Sequence, residues 1–394
     1  MLNNYPNIPF KKGHSDRVRH GHPWIFSNEL QQVPRLPPGS IVRFIDHQGA
    51  FLGTGYYNPH SLIIGRILSR HPEEVIDEAF FSRRIQSALK YRALIYPHDQ
   101  SYRLIYSEGD LLPGLIVDRY EDHLAVQFLT AGMEVWKNTI TDILKQCVSP
   151  VCIYERSDSS MRSYEHLEPV SQQLWGTPNP ALSILQDNVR FKVDIMEGQK
   201  TGFFFDHREN RKSIQSFVEG KRVLDLFCGT GSWSLYAAQA GAIEVVGIDS
   251  SQSAIDLAKQ NCALNSKGNV CRFSKKDAFD AAQELVKQKT EFDVVLCDPP
   301  AFAKSRQHLT TAIKGYLRLN RLAALLVKPG GFLVSSSCSH HIDHKTFREI
   351  LEETSRHTGR TMRLLRTGTQ ALDHPVLLSV PETEYLKCMT MELD

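Results

Sequence analysis

Cys338 sits in Ser335-Ser-Ser-Cys-Ser339, just past the apolar run Gly331-Phe-Leu-Val-Ser-Ser336. A second apolar run ends in Cys297-Asp-Pro-Pro-Ala-Phe302, where Asp298 supplies a carboxylate and two prolines stop the strand and stiffen the loop. A third run, Val223-Leu-Asp-Leu-Phe-Cys-Gly-Thr-Gly231, combines a strand-end acid, Asp225, with Gly229 and Gly231. A nucleophile, a positioning carboxylate and a glycine loop in one half of the chain are a set of parts for group transfer. The loop decides which group.

A strand, a glycine turn and a helix starting near Ser232 read as the first unit of a doubly wound sheet. A dinucleotide would want GxGxxG, but the third position here is Ser234. Asp225 would also repel a diphosphate at that helix end. S-adenosylmethionine carries no phosphate and has a cationic sulfonium and an ammonium group, so an acidic strand end suits it. Asp249, ending the next strand, is placed to accept the ribose hydroxyls, and Asp277, in Lys275-Lys-Asp-Ala-Phe279, could reach the adenine amino group. Any one of these acids alone reads equally well as a helix N-cap, but three at successive strand ends argue for a methyltransferase cofactor site.

The acceptor is argued from the thiol. C5 of a pyrimidine is a poor nucleophile until a thiolate adds at C6; C5 can then take a methyl group, a base removes the C5 proton, and the thiol is eliminated. Only a few per cent of an ordinary thiol, with a pKa of about 8.5, is ionised at pH 7, so a nearby positive group would help. His340 and His341 are adjacent in sequence, though adjacency does not establish contact. Cys297 is expected to face away from Asp298 by strand alternation, Cys228 to pack in the cofactor loop, and Cys262 and Cys388 to pack as well. Two other readings stay open. Asp298-Pro-Pro could serve methylation of an exocyclic amine such as guanine N2, where Ala301 followed by Phe302 is an imperfect fit. A non-catalytic RNA-binding factor could retain the cofactor fold.

The elements that must position these residues are strands and helices in alternation after about residue 196. Apolar runs at 223–226, 244–249, 292–298 and 331–336 alternate with helical stretches at 209–218, 232–240, 252–264, 279–288 and 308–327. That pattern predicts a parallel sheet covered on both faces. Residues 1–72 hold short β-like runs split by Pro and Gly, the signature of a small β-barrel or sandwich. Residues 73–195 read as an α+β domain: a helix at 73–95, strands at 115–118 and 123–129, a helix at 133–147, and strands at 151–155 and 184–195, the last turning at Asp187-Asn188. The fold class is therefore α/β: a C-terminal doubly wound, Rossmann-like domain at 196–394 preceded by a small β-barrel and a central α+β domain.

Composition agrees. The 394 residues, 41% hydrophobic and 23% charged, suit a globular chain of two or three domains. Eight scattered cysteines without paired or metal-ligand spacing suggest free thiols in a reducing compartment and no metal site. No run is long and apolar enough for a membrane helix, and the first residues show no signal-peptide pattern, so a cytoplasmic location is expected. Net charge is +2, but residues 1–70 hold eight Lys/Arg against three Asp/Glu, so that end carries +5 and the remainder about −3. A basic module beside a near-neutral one suits a phosphate backbone.

With these residues identified, the chain resembles, over essentially its whole length, the large-subunit rRNA 5-methylcytosine methyltransferases that carry an N-terminal PUA domain. His22-Pro-Trp-Ile-Phe26 and Gly53-Thr-Gly-Tyr-Tyr-Asn-Pro59 look like the PUA segment, Gly109-Asp-Leu-Leu-Pro-Gly-Leu-Ile-Val-Asp118 like the central domain, and Gly198-Gln-Lys-Thr-Gly-Phe-Phe-Phe-Asp-His-Arg208 like the lead-in to the catalytic domain. The resemblance implies that Cys338 is the nucleophile, that Asp298 positions the base, and that Arg208 lies near the cofactor as a candidate partner for its carboxylate. Many other RNA 5-methylcytosine enzymes carry a second cysteine in the Asp-x-Pro loop; Ala301 stands there, which implies a one-cysteine scheme and leaves the C5 base unassigned. The implied cofactor is S-adenosylmethionine, the implied partner is large-subunit rRNA, probed by a PUA-like domain, and a homodimer is allowed.

Overall fold

The computed structural model describes residues 5–198, 201–302 and 306–394, so Gln199 and Lys200 of the lead-in segment lie outside the described residues. The chain divides into two compact units, one of residues 1–184, 193–205 and 372–383, the other of residues 185–192, 206–371 and 384–394.

The first unit contains two five-stranded sheets. One pairs Ser40–Ile45, Phe51–Tyr57 and Gly65–Ser69 as an antiparallel meander, with Asn7–Pro9 added in parallel and Trp24–Ile25 on the other edge. Phe10, Val42, Phe44 and Tyr57 are wholly buried in its core. The other sheet is built from Ser101–Tyr106, Leu115–Tyr120, His123–Phe128, Cys152–Ser157 and Val170–Gly176. Its core closes against the helices Glu78–Ile95 and Lys137–Val148, which contribute Phe80, Phe81, Ile85, Ile140 and Leu144. The 73–95 helix expectation is met from Glu78, where Asp77 caps the first turn by accepting from Phe80 N. Residues 372–383, which sequence patterning leaves in the C-terminal domain, pack with this unit: Arg103 N donates to Asp373 Oδ2 at 2.8 Å and Tyr106 Oη to the Thr383 carbonyl at 3.0 Å.

The second unit is a seven-stranded sheet with strands β1 (Arg222–Leu226), β2 (Glu244–Asp249), β3 (Cys271–Lys275), β4 (Phe292–Cys297), β5 (Val327–Ser337), β6 (Met362–Gly368) and β7 (Lys387–Leu393). Helix α1 (Arg208–Ser213) precedes β1, and α2 (Ser232–Gln239), α3 (Gln252–Leu264), α4 (Ala278–Lys287), α5 (Leu309–Leu325) and α6 (His344–Thr358) connect the strands. The strand order is β3-β2-β1-β4-β5-β7-β6, parallel except for β7, which runs antiparallel to both β5 and β6. The order reverses beside β1, so the crevice beyond the carboxyl ends of β1 and β4 is where an open α/β sheet holds its ligand. Leu224, Leu226, Val295, Leu333, Tyr316 and Phe347 are wholly buried and lock the sheet to α5 and α6. The hairpin Ser183–Gln186 and Val189–Lys192 turns at Asp187-Asn188, as the sequence predicts, with both residues at positive φ (49° and 67°). Its second arm is tied to α3 by Lys192 N donating to Asn261 Oδ1 at 2.8 Å and Arg190 N to Asn265 Oδ1 at 2.9 Å. Among the described residues, no helix is long and apolar enough to cross a membrane.

Candidate active site

The glycine loop leaves β1 through Phe227, which takes the left-handed conformation at φ 63°, a strained choice for a bulky residue and one concentrated at functional sites. Gly229 (φ 53°) has open space where a Cβ would stand, whereas a Cβ on Gly231 (φ 82°) would meet Ala258 Cβ and the Phe273 ring at 3.2 Å. The first glycine thus leaves the backbone open to a ligand, and the second lets α2 pack close to its neighbours. Asp225 is wholly buried. Its Oδ2 accepts from Ser234 N at 3.0 Å and Ser234 Oγ at 2.6 Å, fastening the first turn of α2, while its Oδ1 has no hydrogen-bond partner among the described residues. Burial pushes this carboxyl up to about 7.

Asp249 ends β2 with Oδ2 accepting from Gly229 N at 2.9 Å and Oδ1 from Ser251 N at 2.9 Å. It is only partly buried, and each oxygen keeps a second lone pair for a ligand hydroxyl. Asp277 is exposed and caps α4, its Oδ1 accepting from Phe279 N at 2.9 Å and Asp280 N at 3.1 Å. Capping and ligand contact are compatible here: Phe279, two residues on, meets Phe227 edge to face at 6.2 Å, which brings the start of α4 against the glycine loop. The structure therefore gathers Asp225, Gly229, Gly231, Asp249 and Asp277 along one carboxyl edge.

Arg208 is held by a carboxylate of the chain itself. Its Nη2 donates to Asp187 Oδ1 at 2.9 Å and its Nε to Asp187 Oδ2 at 3.2 Å, and Tyr236 Oη donates to the same carboxylate at 2.7 Å. Burial alone would raise Asp187, but the guanidinium and the phenol hold it below the usual carboxylate range. The Arg208 fork thus fastens α1 to the hairpin turn through its Nε and Nη2. The preceding residue lies at the site. His207, buried, sets its Nε2 3.1 Å from Asp298 Oδ1, and Trp233 Nε1 donates to Asp298 Oδ2 at 3.0 Å. The two rings lie 5.3 Å apart. Burial opposes a charge on His207, yet the Asp298 carboxylate overrides it and pushes the imidazole up to about 10. Burial would likewise raise Asp298, but the His207 charge and the bonds from His207 and Trp233 keep it low. Both shifts favour the imidazolium–carboxylate form of the pair.

Asp298 follows Cys297, whose side chain is 1% exposed in the sheet core, so the alternation expected from sequence holds. Cys338, one residue beyond β5, places Sγ 3.9 Å from the Pro299 carbonyl oxygen and so lies against the Asp-Pro-Pro loop. Of the cysteines in this unit, Cys228, Cys262, Cys271, Cys297 and Cys388 are buried and Cys338 alone is partly exposed. The serines around it are pinned by the buried Tyr316: Ser337 Oγ donates to its hydroxyl at 3.0 Å, and Ser339 Oγ lies 3.1 Å from that oxygen. His340 and His341 are exposed, and the His340 ring packs on Tyr385 at 5.5 Å. The cation beside the serine turn is instead Lys387, buried at the start of β7, with Nζ donating to Ser339 O at 2.7 Å and Tyr385 O at 2.8 Å. Sequence reasoning missed His207, Trp233 and Lys387. The one available signal was Lys387 itself, a lone charge at the head of the apolar strand Cys388-Met-Thr-Met391.

Residues 8–70 match the family described as PUA-like domain, and residues 157–371 the family described as S-adenosylmethionine-dependent methyltransferase. Ribosomal RNA large subunit methyltransferase I of Tolumonas auensis is 38% identical over 386 residues, 96% of this chain and 97% of that protein. The protein of the same name from Pseudoalteromonas translucida is 36% identical over 385 residues, with 96% and 97% covered. A solved chain described as a methyltransferase and complexed with SAH superposes with a TM-score of 0.85 at 21% identity, covering 98% of this chain and 100% of that one, which is a likeness of fold. The donor set fits S-adenosylmethionine on its own terms. A buried carboxylate oxygen without a partner, a second carboxylate at the next strand end and an open glycine suit a cationic, ribose-bearing ligand.

Proposed function

Because the chain belongs to the S-adenosylmethionine-dependent methyltransferases that carry a PUA-like domain, the family of ribosomal RNA large subunit methyltransferase I, we propose that it methylates C5 of a cytosine in large-subunit (23S-type) rRNA through a covalent adduct at Cys338. The observation that carries this reading is the position of the one partly exposed thiol of the catalytic unit, with Sγ against the Pro299 carbonyl of the loop that bears Asp298.

The reaction follows from those parts. A cytosine swung out of its stack enters beside the Asp-Pro-Pro loop. Asp298, held by His207 and Trp233, accepts a hydrogen bond from the cytosine amino group and fixes the ring over the thiol. The Cys338 thiolate adds to C6, and the electron pair released to C5 makes that carbon nucleophilic. S-adenosylmethionine supplies the electrophilic methyl group. A base takes the C5 proton, the electrons of that C–H bond restore the ring double bond, and the thiolate leaves. Asp225, Asp249 and Asp277 hold the cofactor's cationic, ribose and adenine portions, with Gly229 and Gly231 shaping the loop. Arg208, anchored on Asp187, is the candidate partner for the cofactor's carboxylate and also steadies α1 beside His207.

Bisulfite sequencing of large-subunit rRNA tests this in cells lacking the gene, complemented with the wild-type chain or with Cys338→Ala. The reading expects one cytosine methylated by the wild type and unmethylated with the variant. Full restoration by Cys338→Ala would remove the thiol from the mechanism. If no cytosine responds in any strain, methylation of an exocyclic amine becomes the reading to pursue.

A further inference from the structure

Lys387 opens β7 directly across from Ser337 in the antiparallel register with β5, one residue from Cys338. Its side chain is 3% exposed, an uncommon position for a lysine. Two of its three N–H donors are used by the carbonyls of Ser339 and Tyr385, and the third has no acceptor among the described residues. Carbonyl oxygens orient an ammonium without neutralising it, so the charge is available to a neighbour. Burial drives Lys387 down to about 8, and of the ionisable groups that resist this, Cys338 pulls hardest, ahead of Asp343 and Glu384. Of the other titratable groups around the turn, His341 is exposed and the rest are engaged. Tyr316 is bonded to Ser337 and Ser339, His340 packs on Tyr385, His344 lies 3.1 Å from Glu384, and Asp298 is paired with His207.

We propose that Lys387 is the counter-charge of the Cys338 thiolate, a positioning residue whose ammonium, fixed by the Ser339 and Tyr385 carbonyls, keeps the sulfur ionised for attack and stabilises it again as the leaving group. This rests on Cys338 being the nucleophile. The thiol proton passes to solvent when the ion pair forms, and Lys387 keeps its own protons throughout. No direct hydrogen bond joins the two groups; the coupling is through space in a buried setting, where charges are weakly screened. The arrangement also explains why the adjacent His340 and His341, both exposed, are not needed for the task.

The test is the pH dependence of Cys338 alkylation by iodoacetamide in the full-length protein, read by mass spectrometry of the Cys338 peptide. The wild type should show a midpoint below the ordinary thiol value of about 8.5. Lys387→Met should raise that midpoint by about one pH unit or more, slowing alkylation at pH 7 about tenfold, and Lys387→Arg should keep it low. Cofactor binding serves as the control for folding; if Lys387→Met fails it, Lys387→Gln compared with Lys387→Arg gives the same contrast. Equal midpoints in the charged and neutral variants would overturn the proposal. A shifted midpoint together with full methylation by Cys338→Ala would leave the ion pair standing and remove the nucleophile reading, so the two failures are separable.

Discussion

At the scale of single residues, charge placement governs the site. Replacing Cys338 by Ala should lower methylation by about 10³-fold or more while leaving cofactor affinity unchanged, which turnover assays and calorimetry on the same preparation would show. The His207–Asp298 pair makes a second prediction. His207 is raised to about 10 from an ordinary 6.5, so its contribution to stability is complete below about 6.5 and is lost as pH rises through about 10. Asp298 is lowered, so its contribution is present above the usual carboxylate range and is lost as pH falls through its folded value. His207→Ala should destabilise by about 3–5 kcal/mol, the cost of leaving a buried charge without its partner, and melts of the variant should not show the wild type's loss near pH 10. Asp225 shares the sign of His207 and is opposite to Asp298. Raised by burial to about 7, it binds a proton more tightly in the folded state, so wild-type stability relative to Asp225→Asn should fall as pH rises from about 4 to 7. Melting both proteins across that range isolates the effect; parallel curves would contradict the buried carboxyl.

At the scale of elements, the glycine loop and its flanking helices carry the cofactor site. Gly231→Ala must put a side chain into the left-handed region, at about 1–2 kcal/mol, and press its Cβ against Ala258 and Phe273. Both the melting temperature and cofactor affinity should fall, whereas alanine at exposed Gly268, where a Cβ meets nothing, should leave cofactor affinity intact. Much of this level was legible in the sequence. The strands β1, β2 and β4 are continuous apolar runs because both their faces are covered, and α3 begins at the predicted residue because Ser251 caps it. What the pattern did not reveal are the elements after the serine turn. β7 is an internal strand between β5 and β6, and its Thr390 and Lys387 break an apolar run. The Arg208–Asp187 pairing was not legible for a related reason. The partner, Asp187, lies on a hairpin whose attachment to α3 runs through backbone bonds to Asn261 and Asn265, contacts that leave no periodicity behind. His207 was hidden in the same way, since its partner Asp298 is distant in sequence.

At the scale of the whole molecule, the proposed function assigns the grip on RNA to the basic β-rich module and its modification to the near-neutral α/β module. Lys12 and Arg35 are exposed on the first module, so Lys12→Ala and Arg35→Ala should each weaken RNA binding with little dependence on sequence and shallow the salt slope by about one phosphate contact. Filter binding across a salt series checks this, and an unchanged slope would move the RNA surface elsewhere. The charge excess of residues 1–70 was readable directly from the sequence, whereas the return of residues 372–383 to the first unit was not, because it depends on Asp373 and Thr383 meeting Arg103 and Tyr106. The central claim is that Cys338 attacks a cytosine ring. Its most direct measurement is a denaturing gel and mass analysis of the full-length protein incubated with S-adenosylmethionine and 5-fluorocytidine-substituted large-subunit rRNA, where fluorine blocks loss of the C5 substituent. The account predicts a denaturation-resistant protein–RNA adduct that maps to Cys338 and vanishes in Cys338→Ala. An active enzyme that forms no such adduct, or one that maps to another residue, would contradict it.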